Sequence, residues 1–117
     1  MQNKTNVPHS ISLEEAIELT TRFRETKPED VAISETLDKE SVTMMLTVEG
    51  AEKLRIYHGR RENGEITSVL VAADANGNDI LPSANDSNEV WEDDEALILD
   101  DTFRCPELCP PPSPLNP

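Results

Sequence analysis

The longest unbroken apolar run in the chain, Val69-Leu-Val-Ala-Ala73, constrains the fold more than any other feature. A run of this length predicts a central strand that is covered on both faces. Upstream, residues 53–58 alternate apolar and polar side chains, as a strand with one wet face does. Between the two lies Asn63-Gly64, which supplies the two positive φ angles of a type I′ turn. The sequence therefore predicts an antiparallel hairpin, extended by a turn at Asn76-Gly77 and a short edge strand near residues 79–81.

Two helices are predicted ahead of this hairpin. Ser12 and Glu15 form a capping box, and apolar side chains at helical spacing follow until Pro28 ends the first helix. A second, shorter helix is predicted to begin after Asp38, whose side chain can cap it, and to end at Gly50.

The last third of the chain is predicted to contribute few side chains to a core. The segment Ala96-Leu-Ile-Leu99 is short and is predicted to dock as another edge strand. From Arg104 onward, the density of proline is predicted to exclude helix and sheet. Polyproline II or irregular extended structure is expected there instead.

Composition limits the chain to one modest, aliphatic core. Its 117 residues are 36% hydrophobic and include only one Trp, one Tyr and two Phe. The predicted fold class is α+β, with two N-terminal helices packed on a small antiparallel β-meander and an extended proline-rich C-terminal tail. The predicted divisions are a flexible N-terminus at 1–10, a single α+β domain at 11–101 and a Cys/Pro-rich extended tail at 102–117.

Charge restricts the classes of partner. The formal net charge is −14, and residues 83–117 hold nine acidic side chains but only one basic side chain. Such a field repels nucleic acid and anionic lipid, and no apolar run approaches the ~20 residues that span a bilayer. The expected partner is a protein, with a basic surface as the natural complement, and a homo-oligomer stays open. Acidity that serves only solubility is the alternative.

The two cysteines, Cys105 and Cys109, are interpreted through the expected compartment. Residues 1–10 are polar and contain Pro8, so no export signal is predicted and the expected location is cytoplasmic. In that reducing compartment the favoured state is two free thiols, and a permanent disulfide is disfavoured. Zinc binding is the disfavoured alternative, because the pair supplies only two of four ligands. No other cofactor is predicted.

Two groups of residues are candidates for binding a partner. In the tail, Cys105 and Cys109 accompany three residues that are expected to dock: Pro106, Leu108 and Leu115. Further upstream, an aromatic side chain lies next to four carboxylates: Trp91, Glu92, Asp93, Asp94 and Glu95. This second cluster resembles an acidic linear motif that anchors its Trp in a pocket. The alternative is a Trp folded onto the sheet behind a solvated acidic loop.

A basic patch and one histidine complete the candidates. Arg55, Arg60 and Arg61 could bind an anionic ligand, but pairing with acidic residues in 86–101, within the molecule or across a dimer, is the favoured interpretation. His58 is expected to be partly buried with a structural hydrogen bond. The segment contains no recognisable nucleophile that would make this histidine a catalytic base.

The chain also resembles a group of uncharacterised small cytoplasmic proteins of the Bacteroidota. The resemblance spans most of the chain and lies in these segments: Ile11–Ala16, Leu54–Gly59, Asn63-Gly64, Val69–Val71, Asp74–Asp79, Cys105-Pro106 with Cys109, and Pro114–Asn116. The sequence departs from the group in the acidic insert around Trp91 and in the extra prolines at 110–112. The resemblance implies an extent for the domain but no activity.

These observations favour a non-enzymatic protein-interaction module, an adaptor or accessory subunit that uses an acidic surface and the Cys/Pro-rich tail. A tail without intrinsic structure is most easily explained if a partner orders it. The alternative is a small ligand- or metal-binding protein that uses His58, Arg60, Arg61 or the Cys105/Cys109 pair. An enzyme is disfavoured, because no acid–base or nucleophile constellation is recognisable in the sequence.

Overall fold

A computed structural model describes residues 7–29, 31–82, 96–100 and 102–117. The elements in chain order are α1 (Leu13–Thr26), β1 (Ser34–Thr36), α2 (Lys39–Leu46), β2 (Lys53–Arg60), β3 (Ile66–Ala73), β4 (Asp79–Ile80) and β5 (Phe103–Cys105). The predicted mixture of helices and antiparallel strands is confirmed. The packing of both helices on one face of the meander stays a prediction.

Helix α1 begins and ends where the sequence predicts. The Ser12 hydroxyl accepts a hydrogen bond from the Glu15 amide at 3.0 Å and so satisfies one of the free N–H groups of the first turn. At the other end, the Lys27 amide donates to the Phe23 carbonyl, and Pro28 follows directly. No residue of α1 is fully buried.

Helix α2 is shorter than predicted, ending at Leu46 rather than at Gly50. Asp38 occupies the N-cap position, but its side chain makes no capping hydrogen bond, so the capping role predicted for that side chain is wrong. The backbone carries the first turn instead, through a bond from the Val42 amide to the Asp38 carbonyl at 3.3 Å. The helix is anchored on its inner side by Met45, which is completely buried.

The larger sheet has the order β2-β3-β4, with β3 in the centre. Strands β2 and β3 are antiparallel over their whole length, from the pair Lys53 and Ala73 to the pair Arg60 and Ile66. Four consecutive residues of β3, 70–73, are buried, and consecutive strand residues point to opposite faces. The predicted central strand covered on both faces is therefore confirmed.

The turn between β2 and β3 differs from the predicted type I′ turn. The Gly64 amide donates to the Arg61 carbonyl at 2.9 Å, and the Arg61 amide donates to the Glu65 carbonyl at 2.8 Å. Gly64 has a φ of 94°, whereas Asn63 is not among the residues with positive φ. The connection is thus a three-residue loop with one left-handed residue. Such loops are the commonest hairpin connections after two-residue loops.

The core cluster lies between α2 and β3. Its buried members are Met45, Val48, Leu70 and Ala72. The partly buried side chains around it are Leu37, Leu46, Ala51, Ile80, Leu97 and Leu99. Every member is aliphatic or Met, as the composition predicts. Leu99 also makes an isolated antiparallel bridge with Leu70, which is less than the edge strand predicted for 96–99.

The chain divides into two compact units. One comprises Met1–Ser34 and Arg104–Pro117, and the other comprises Glu35–Phe103. A second, two-stranded sheet pairs β1 with β5. The prediction that proline density excludes sheet from Arg104 onward is wrong for Arg104 and Cys105. Both residues precede Pro106, so their amides remain available to a ladder. The domain limits predicted from the sequence stay predictions.

Candidate functional site

The two cysteines of the tail are joined in a disulfide. The Cα atoms of Cys105 and Cys109 lie 4.4 Å apart, at the near end of the range usual for disulfides. The expectation of two free thiols is therefore wrong, because it rested on the expected compartment and not on the reach of the side chains. In this state neither sulfur is a thiolate, so the pair cannot bind zinc.

Hydrogen bonds hold this tail within its own compact unit. The Cys105 carbonyl accepts from the Ile33 amide at 2.8 Å, and Cys105 itself is 1% exposed. Near the C-terminus, the Arg24 guanidinium of α1 donates to the Leu115 carbonyl at 2.9 Å. Residues 113 and 116 exchange two backbone hydrogen bonds at 3.0 and 2.9 Å. The tail is thus anchored at its beginning and near its end.

Between and beside these anchors, apolar side chains point to solvent. Leu108, which lies inside the disulfide loop, is 62% exposed, and Leu115 is 39% exposed. Pro106 and Cys109 are exposed as well. The arrangement places two exposed leucines on a segment that a disulfide and backbone hydrogen bonds hold in place.

The basic patch predicted from the sequence is divided among separate partners. The Arg55 guanidinium meets the Asp79 carboxylate at 2.5 Å, and Arg61 meets Asp100 at 3.1 Å. Arg60 donates to a carbonyl of the β2–β3 turn at 3.1 Å. The three guanidinium groups therefore do not converge on one anion. Arg61 pairs with a residue of the segment 86–101, whereas Arg55 pairs with β4.

His58 is exposed on β2, so the expected partial burial is wrong. The reason is its place in the sheet: β2 is a terminal strand, and no other described strand lies against its outer side. Within the part of the chain that the structure describes, the His58 side chain has no hydrogen-bond partner. The structural hydrogen bond predicted for His58 is therefore absent from the described residues, although its register partner on β3 is Ser68, whose hydroxyl donates to Glu35.

The contacts of Asp79 form a polar cluster on the sheet. Its carboxylate accepts from the Tyr57 hydroxyl at 2.6 Å as well as from Arg55. The hydrogen bond from Tyr57, followed by the bond and the charge of Arg55, lowers the pKa of Asp79, while burial works against this. The same bond raises the pKa of Tyr57, because it stabilises the protonated phenol. The cluster joins β2 to β4 and is structural in character.

Two further polar clusters carry no signal in the sequence. The Glu35 carboxylate accepts from Ser68 at 3.1 Å and from Thr102 at 2.7 Å. Asp100 accepts from Thr67 at 2.7 Å in addition to its pair with Arg61. Each cluster joins residues more than thirty positions apart, so no local spacing could have predicted it.

Other classes of site find little support in the described residues. Those residues contain no group of three or more His, Cys, Asp or Glu side chains placed to hold a metal ion. None of their helices has the length and apolar character needed to cross a membrane. The predicted acidic motif, Trp91 to Glu95, lies outside the described residues, so its role stays a prediction.

Comparison with known proteins finds no family model, no curated relative and no solved structure that matches the chain. The resemblance to the Bacteroidota group stays a prediction. The tail, with its fixed backbone and exposed leucines, is the candidate site that the geometry favours.

Proposed function

We propose that this chain is a non-enzymatic protein-interaction module and that the disulfide-closed tail is its main contact surface. The observation that carries the proposal is the contrast within the tail: Cys105 is buried, whereas Leu108 and Leu115 are exposed. Single exposed leucines are common on protein surfaces, so the relevant feature is that these two lie on a segment held by a disulfide and by backbone hydrogen bonds. Here the anchoring residue is inside and the apolar side chains are available.

The constraints on the tail also favour binding. A loop that is already held by a disulfide and by backbone hydrogen bonds loses little conformational entropy when a partner docks. Exposed apolar side chains on such a loop can insert into a pocket and supply much of the binding energy. This differs from the sequence-based expectation, in which a partner orders a tail that has no structure of its own.

The net charge of −14 supports a partner with a basic surface. Residues 91–95 would face that surface if they act as an acidic motif. The absence of nucleic-acid binding belongs to the same proposal, and a homo-oligomer stays open. The cytoplasmic location expected from the sequence does not follow from it, because a reducing compartment disfavours a disulfide-closed tail. The alternative of a ligand- or metal-binding protein has less support, because the two sulfurs are bonded to each other and the arginines of the basic patch have separate partners.

The proposal is tested by capture from a lysate of the source cells, with the full-length protein as bait. The double variant Leu108→Asp/Leu115→Asp is compared with wild type, and Leu19→Asp serves as a matched control because Leu19 is an exposed leucine of α1. A partner that contacts the tail should be captured about tenfold less by the double variant and equally by the control. A truncation after Phe103 is less informative, since it also removes the buried Cys105.

Equal capture of every protein by the three baits would overturn the tail as the contact surface. Loss of capture with both the double variant and the control would show general damage to the unit, which circular dichroism of each bait would detect. The captured protein is then titrated against each bait, so that the effect is measured as an affinity.

A further inference from the structure

Strand β2 presents a row of backbone groups to solvent. It is a terminal strand of the sheet, and no described strand pairs with its outer side. Leu70 of β3 exchanges both of its backbone hydrogen bonds with Leu99, at 2.8 and 2.9 Å, on the side away from β2. Ile56 is the register partner of Leu70, so its own N–H and C=O must point away from β3 as well.

The same alternation fixes the rest of the edge. Residues of even number in β2, from 54 to 60, direct their backbone groups outward, whereas those of odd number bond to β3. Arg61, the odd-numbered residue that follows β2, fits this pattern, because its amide donates to the Glu65 carbonyl at the turn. The edge is eight residues long, contains no proline and is longer than the usual strand of about five or six residues.

Apolar side chains flank this edge. Leu54 and Ile56 lie on the same face as Leu70 and the core cluster, yet they are 44% and 52% exposed. Beside Leu54, a groove of about 220 Å³ is lined by Leu46, Ala51, Glu52, Lys53 and Leu54. An added strand would therefore find both hydrogen-bonding groups and an apolar strip with a groove for one of its side chains.

The charge of the edge indicates the chemistry of its partner. Strand β2 contains Lys53, Arg55 and Arg60 but no acidic residue, although the chain as a whole carries −14. Asp79 neutralises Arg55, whereas Lys53 and Arg60 have no ion pair in the described ranges. At physiological salt, charges farther away than about 8 Å are largely screened, so an added strand meets Lys53 and Arg60 on β2 itself, with Glu52 and Glu62 just beyond the two ends of the strand.

We propose that β2 is a strand-addition site for an extended, acidic segment of a partner protein. The segment would pair its backbone with the outward groups of residues 54, 56 and 58 and place alternate apolar side chains over Leu54 and Ile56. Its carboxylates would pair with Lys53 and Arg60 at the two ends of the strand. A second copy of this chain is a poorer occupant, because it would bring one cationic strand beside another.

The opposing interpretation is that these cations protect the edge from pairing, as lysine does on many natural edge strands. The two interpretations differ in what an acidic probe should do. Protection predicts that no peptide binds, whereas the proposal predicts selective binding of peptides with carboxylates at their ends.

The test uses the full-length protein and a labelled peptide, acetyl-Glu-Glu-Val-Thr-Val-Thr-Val-Glu-Glu-amide, measured by fluorescence anisotropy. The control peptide replaces every Glu with Lys. Binding of the acidic peptide that is about tenfold tighter than that of the lysine peptide, and that weakens in high salt, supports the proposal. Failure of the acidic peptide to bind, or equal binding of the two, overturns it.

A pair of variants separates strand addition from ordinary charge attraction. His58→Pro removes an N–H that points outward while leaving the bonds to β3 intact, and His58→Ala keeps that N–H. His58→Pro should weaken binding of the acidic peptide about tenfold, whereas His58→Ala should change it little. Equal binding by the two variants would overturn the backbone pairing. If His58→Pro does not fold, wild type is titrated with the acidic peptide N-methylated on alternate residues. Binding of this peptide as tight as that of the unmethylated peptide would likewise overturn the backbone pairing.

The outcome does not depend on the tail. The Leu108→Asp/Leu115→Asp variant should bind the acidic peptide as wild type does, so failure at β2 and failure of the tail proposal can be told apart. A concentration-dependent dimer that His58→Pro abolishes would identify a second copy as the occupant and would overturn the acidic partner.

Discussion

Asp79 receives hydrogen bonds from two residues of β2, and the consequence is a defined range of pH in which the sheet is most stable. Because Tyr57 and then Arg55 lower the pKa of Asp79, its contribution is fully present above the ordinary value of 3.8 and is lost as the pH falls through the lower value of the folded state. The pKa of Tyr57 is raised, so the contribution of its proton is present below its ordinary value of 10.0 and is lost as the pH rises through the folded-state value.

We therefore expect Asp79→Asn to melt at a lower temperature than wild type at neutral pH, because a carboxylate that accepts from two donors becomes a neutral amide. The difference should shrink as the pH falls below the ordinary value of 3.8 and through the lower pKa of the folded state, where the wild-type carboxylate becomes protonated. Thermal unfolding followed by circular dichroism over this pH range provides the measurement. Tyr57→Phe, which keeps the pair with Arg55, should be destabilised less than Asp79→Asn. A difference in melting temperature that does not vary with pH would contradict this account of Asp79.

Single side-chain contacts of this kind are the features that are hardest to predict from the sequence. The patch of three arginines is visible in the sequence, but its partners lie at positions 79 and 100, and nothing local distinguishes those carboxylates from their neighbours. The disulfide was missed for another reason. Its spacing allows the bond, yet the expected compartment argued against it, and a compartment is not a property of local geometry.

The turn between β2 and β3 is the element whose sequence signal was both strong and incomplete. Asn63-Gly64 placed the hairpin correctly, since a glycine at a turn between two strands is a good marker of chain reversal. It did not fix the turn class, because Glu62-Asn-Gly64 accommodates either two or three loop residues. The structure places only Gly64 in the left-handed region, at a φ of 94°.

Gly64→Ala is therefore expected to lower the free energy of unfolding by about 1 kcal/mol, the cost of holding a residue with a Cβ at positive φ. Steric contact adds nothing, because a Cβ at this position meets no atom within 4 Å. Gly64→Asn is the matched control and should cost less, since Asn tolerates the left-handed region better than Ala does. Urea denaturation of the three proteins measures both values. An Ala variant as stable as wild type would show that position 64 does not need positive φ.

At the scale of the whole molecule, the two compact units differ in what holds them. The unit Glu35–Phe103 contains the aliphatic cluster around Met45 and Leu70, whereas α1, in the other unit, has no fully buried residue. The periodicity of the sequence predicted the strands and helices, because each pattern is local. The division into units was not predicted, since it depends on which half-buried faces meet, and residues far apart in the chain decide that.

This difference predicts an order of stability that hydrogen exchange can measure. Amides of β3 should exchange slowest, because they open only when the core cluster does, and those of α1 should exchange faster. Met45→Ala should lower the free energy of unfolding by about 2–5 kcal/mol, since it leaves a cavity where a fully buried side chain was. Met44→Ala, the neighbouring residue on α2, is 51% exposed and should change it by no more than about 0.5 kcal/mol. Protection of β3 should fall in the first variant and not in the second. Equal losses in the two variants, or slower exchange in α1 than in β3 of the wild type, would show that the cluster around Met45 is not the most stable part of the molecule.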